Sequence, residues 1–202
     1  EQVLNLTVGS VFASRWLMAV TLWWALRLMW PRHPRFAFVA ALLALVYPGF
    51  SQHSIALVYG HYSLTFAVFF VSLALGLWAM RAERLRWLLI LGGAALSALH
   101  LFSVEYYFGL ELLRPVLMWM VTGETVRAGW PRVWRVLRFY WPFGAVVVAY
   151  AVWRLFGFQS EIYGVGAFSL AEAARSVWSV SAEAWSQIFR VPPFAEMGKR
   201  LA

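Results

Sequence analysis

The chain has 202 residues, of which 62% are hydrophobic and only 13% charged. That is too apolar for a soluble domain of this length and predicts an all-α, polytopic transmembrane helical bundle; the absence of cysteine excludes disulfides, thiolate metal sites and cysteine nucleophiles. The formal charge of +8 does not point to nucleic acid, because the arginines gather in short stretches between apolar runs instead of forming a patch on a soluble fold.

Six spans are predicted in chain order. The first covers about 8–30 and is followed by Arg32 and Arg35. The second, 36–47, is short and is stopped by Pro48-Gly49. The connection after it, SQHSIALVYGHY, carries no Lys or Arg and reads as an outer loop over residues 50–62. The third span is 63–80, followed by Arg81, Arg84 and Arg86; the fourth is 87–103. The fifth is 106–121, followed by Arg127, Arg132, Arg135 and Arg138, and the sixth is 139–156. Basic loops stay in the cytoplasm, so residues 50–62, the start of the chain and everything after 156 are expected outside an inner (plasma) membrane. Residues 87–121 are divided in two because one helix of that length would reach about 52 Å, against a hydrocarbon core of about 30 Å. A turn near Ser103 to Tyr107 also keeps both flanking basic loops on one side.

Residues 1–158 are thus expected to form the transmembrane domain. Residues 159–202 read as an outer loop and an amphipathic helix over 170–190. Leu170, Ala174, Val177, Trp178, Trp185, Ile188 and Phe189 fall on one stripe, as in a helix lying in the membrane interface. The start at Glu1 rather than Met, without a basic leader segment, suggests a fragment with further spans upstream.

Functional candidates concentrate in EYYFGLELLRP, residues 105–115. Ionisable groups among apolar spans are costly and usually face a bundle interior or a watery cavity. Glu105 at the outer surface and Glu111 somewhat deeper are candidate catalytic bases or metal ligands. Glu111 and Arg114, three residues apart, share a helix face. They can serve as a carboxylate beside a phosphate-binding guanidinium, or form a self-neutralising ion pair. Arg154 is a second candidate for a lipid phosphate, or a snorkelling side chain. Tyr107, His53 and His61 complete the candidate binding set. His53, His61 and Glu105 could hold a divalent metal, although nothing in their spacing demands one. His100 reads as an interhelical hydrogen-bond partner, and Gly92-Gly93-Ala94-Ala95 with Ser97 as a helix-packing run.

The stretch ALLALVYPGFSQHSIALVYGHYSLTFAVFFVSLALGLWAMRA, residues 40–82, resembles the GT-C superfamily of multispan glycosyltransferases, in particular its bacterial RgtA/B/C/D-like and mannosyltransferase-like group. In that family a short span ends in proline, an outer interfacial segment follows, and a polar residue precedes the next span. LGGAALSALHLFSVEYYFGLELLRPVLMWM, residues 91–120, is similar to the glycine- and alanine-rich span pair that comes next. The resemblance implies sugar transfer from a polyprenyl-phosphate donor at the extracytoplasmic face. Glu105 or Glu111 would then act as base or ligand, with Arg114 and Arg154 on the donor phosphate. This chain departs from the family at Gly60-His61, where an acid is usual, and it lacks the lysine often found in the fourth-span motif. The family's catalytic acid lies upstream of anything matched here. Two alternatives stand beside the transferase: a transporter of lipid-linked or small polar solutes, and a non-catalytic membrane assembly protein. A polar face through most spans would mark the transporter, and a Glu111–Arg114 pair closed on itself would mark the assembly protein. The bilayer is the one partner all three share, and a lipid-linked sugar belongs to the first.

Overall fold

The structure is a computed structural model that describes residues 2–46, 56–104, 107–123, 126, 129–154, 175, 178 and 179. The chain divides into two units, residues 1–155 and 156–202. In the second unit Arg175, Trp178 and Ser179 are helical and exposed; the rest of the expected interfacial helix lies outside the described residues.

The first unit is all-helical among the described residues: α1 (Gln2–Met29), α2 (Pro34–Val46), α3 (Ala56–Ala79), α4 (Arg86–Ser103), α5 (Phe108–Thr122) and α6 (Trp130–Val152). Ring contacts fix the helix directions. Trp24 meets Trp78 near the C-terminal ends of α1 and α3, and Phe66 meets Tyr107 near the N-terminal ends of α3 and α5. Arg86 lies over Phe139, and Phe102 packs on Tyr150 and Trp153, so α4 and α6 run parallel to each other. Phe69 meets His100 and Ser72 meets Gly93, so α3 and α4 are antiparallel; α1, α3 and α5 therefore run one way and α4 and α6 the other. Arg27, Arg32, Arg35, Arg81, Arg84, Arg86, Arg132, Arg135 and Arg138 all fall at one end, while Arg154 closes α6 at the other.

Three helices begin well before the expected positions; α1 starts at Gln2 rather than about residue 8. α3 begins at Ala56, so half of the predicted outer loop is helix. The run IALVYGHYSL holds no proline and one glycine, too little to stop a helix. α6 begins at Trp130 with Pro131 in its first turn, where a missing N–H costs nothing. Arg132, Arg135 and Arg138 therefore stand on helix, not in a loop. His61–Ala79 and Arg86–Ser103 are long and apolar enough to cross a bilayer. Among the described residues no other helix is both that long and that apolar; α2 has 13 residues and α5 has 15.

The core centres on Phe69, Leu73 and Leu77 of α3, Ile90 of α4, Met118 of α5, and Phe139 and Phe143 of α6. α5 shows the pattern best. Its buried stripe is Glu111, Arg114, Met118, Val121 and Thr122, whereas Leu112, Leu113, Val116 and Met120 are exposed.

Candidate functional site

Glu111 and Arg114 lie one turn apart on α5, and both are 0% exposed. Arg114 grips the carboxylate with two hydrogen bonds of 2.7 Å, Nε to Oε2 and Nη2 to Oε1. This paired geometry is the strong form of the interaction. Nη2 also donates to Ser72 Oγ of α3 at 3.0 Å, and that hydroxyl donates in turn to the Gly93 carbonyl of α4 at 2.6 Å. The guanidinium lies 4.3 Å above the Phe143 ring of α6 and 5.3 Å from Phe69 of α3. One arginine thus ties four helices together.

Glycine makes this closeness possible. A Cβ on Gly93 would stand 3.1 Å from the Phe143 ring and 3.2 Å from the Ser72 carbonyl oxygen. A Cβ on Gly76 would stand 3.1 Å from Met118 and 3.3 Å from Phe143. The Phe143 ring sits in the slot that these two glycines leave. Pro115 follows directly on the pair and removes the N–H that would have bonded the Glu111 carbonyl.

His100 borders the pair. Its Nδ1 is 3.7 Å from Glu111 Oε1, beyond hydrogen-bonding distance. Neither ring nitrogen has a hydrogen-bond partner, and the same holds for Ser97 Oγ and Arg114 Nη1. The interhelical hydrogen bond expected of His100 is therefore not made. Its ring is held by apolar and aromatic faces instead, with Phe69 at 5.4 Å and Tyr107 stacked at 6.0 Å. Tyr107 continues the row to Phe66 at 4.4 Å and Tyr62 at 6.0 Å, and Tyr62 touches the exposed His61 at 4.1 Å.

The expected site residues separate accordingly. Glu111 and Arg114 come together, but in a sealed contact rather than a solvent-reachable hollow. Neither side chain is exposed to water, so Glu111 has no access to an acceptor hydroxyl in this arrangement. Arg154 is not beside Arg114. It lies 11 residues beyond Phe143, about 16 Å along the axis of α6. Tyr107 and His61 sit near the end away from the arginines. Glu105 and His53 lie outside the described residues. Among the described residues no three metal-ligating side chains converge. Ser72 and Phe143 were missed in the sequence. A lone hydroxyl inside FFVSLALG was the available signal for Ser72; nothing comparable marks Phe143.

Comparison with known proteins finds no matching family model, no matching curated protein and no matching solved structure.

Proposed function

We propose that the chain is a multi-pass integral membrane protein, with its arginine-rich end in the cytoplasm. We further propose that its central polar cluster acts as a packing lock in a non-catalytic assembly module. One observation supports this reading above the others: polarity is inverted. The most completely buried charges form a closed pair at the bundle centre, while Leu88, Leu91, Leu99, Leu112, Val116 and Val148 are each about half exposed or more. Water does not favour such an exterior over so large an area, and lipid does. A sealed, doubly bonded carboxylate is unavailable as a base and well suited to fixing helix register.

A second reading, the GT-C-like transferase acting on a polyprenyl-phosphate sugar, draws on the row of His61, Tyr62 and Tyr107 at the other end. There the break between α4 and α5 brings polar rings together. The E111L/R114M double variant separates the two. Removing both charges is expected to keep the bundle folded, so that a lock would survive as a hydrocarbon contact. Sugar transfer by wild-type membranes that vanishes in this folded variant would overturn the assembly reading.

A further inference from the structure

Between the first turns of α4 and α6, at the arginine-rich end, lies a groove of about 390 Å³ lined by Arg86, Pro131, Trp134, Arg135, Arg138 and Phe139. Arg135 and Arg138 are three apart on α6 and so share a face. Arg86 comes from α4, held by its Nε bond to the Ala82 carbonyl at 3.2 Å and by the Phe139 ring 5.5 Å away. Its terminal nitrogens have no hydrogen-bond partner among the described residues. No carboxylate among the described residues lies within ion-pair distance of any of the three arginines, including the nearby Glu83. Three cations thus face one cleft with no carboxylate beside them among the described residues. The N-termini of α4 and α6 both point to this end, and their dipoles add to the positive potential. Trp134, 63% exposed, stands at the mouth.

We propose that this groove binds the headgroup of an anionic phospholipid of the cytoplasmic leaflet, with guanidinium groups of Arg86, Arg135 and Arg138 on the phosphodiester oxygens. The inference rests on the membrane reading above. Guanidinium forks match phosphate oxygens, and basic pockets between spanning helices on the cytoplasmic side suit acidic headgroups. The Trp134 indole lies at the headgroup level. The exposed Leu88 and Leu91 of α4 and Leu137 and Trp141 of α6 offer apolar surface farther along both helices for the acyl chains.

The test uses the full chain. Alkaline carbonate extraction of membranes comes first; a chain released to the supernatant overturns the membrane reading, and this site with it. Retained protein is then purified in neutral detergent and offered phosphatidylglycerol or phosphatidylcholine, with bound lipid counted by native mass spectrometry. Phosphatidylglycerol is expected to be retained preferentially, and R135Q/R138Q to lower its retention by about tenfold or more. The R32Q/R35Q variant removes the same charge from the α1–α2 connection and is expected to leave retention unchanged. Equal binding of both lipids, or an equal loss in both variants, overturns the groove assignment while the chain stays in the membrane. Displacement of phosphatidylglycerol by an equal concentration of inorganic phosphate would identify a soluble anion as the ligand and overturn the lipid assignment.

Discussion

At the scale of single residues, the Glu111–Arg114 pair is a fully buried, doubly hydrogen-bonded ion pair whose breakage is costly. Removing one partner strands the other charge in a medium of low dielectric, at a cost of about 3–5 kcal/mol. E111Q and R114Q should each lower the midpoint of thermal unfolding in detergent, whereas E111L/R114M should stay within about 1–2 kcal/mol of wild type. A double variant no more stable than the worse single one would show that the pair does more than neutralise itself. Gly93→Ala tests the slot beside it. The new methyl meets the Phe143 ring and a backbone oxygen, and backbone yields poorly. A loss of about 1–3 kcal/mol is expected, read as a lower unfolding midpoint; an unchanged midpoint would mean that Phe143 moves freely. The i,i+3 pair itself was legible in the sequence because helix periodicity places both groups on one face. Its partners were not, since Ser72 stands 42 residues from Arg114 and only tertiary packing brings them together.

At the scale of elements, α5 is the shortest helix but one and depends on borrowed contacts at its C-terminal end. Arg132 of α6 donates to the Trp119 carbonyl from Nε at 3.1 Å and Nη2 at 2.5 Å, and its guanidinium lies 4.3 Å over the Trp119 ring. The Trp119 carbonyl also accepts the Gly123 N–H at 3.1 Å, so the cation adds further bonds to a last-turn carbonyl and opposes the negative end of the dipole. Arg132→Met should speed hydrogen exchange across residues 119–122 by roughly fivefold, the equivalent of about 1 kcal/mol. Exchange at the wild-type rate would show that the last turn is held by burial alone. Helix number and alternation were legible from apolar runs and basic punctuation. The starts of α3 and α6 were not. A hydropathy reading ends a span at His61 or Arg138, whereas the backbone ends it only where proline, glycine or an unsatisfied turn intervenes.

At the scale of the whole molecule, the separation of nine arginines from the opposite end predicts orientation. The cysteine-free sequence makes the test clean. Single cysteines replacing the exposed Glu83 and His61 should react with a membrane-impermeant maleimide from opposite sides, Glu83→Cys only after the cytoplasmic face is opened. Labelling of both from one side would remove the alternating topology. The closed ion pair also bears on biogenesis. On the proposed membrane reading, the counter-charge belongs to the same helix one turn away, so α5 would leave the translocon already neutralised, with no need for a second helix to arrive first. Ser72, Gly93 and Phe143 then have a preformed block on which to assemble, so the order of docking among the remaining helices is free to follow the ribosome.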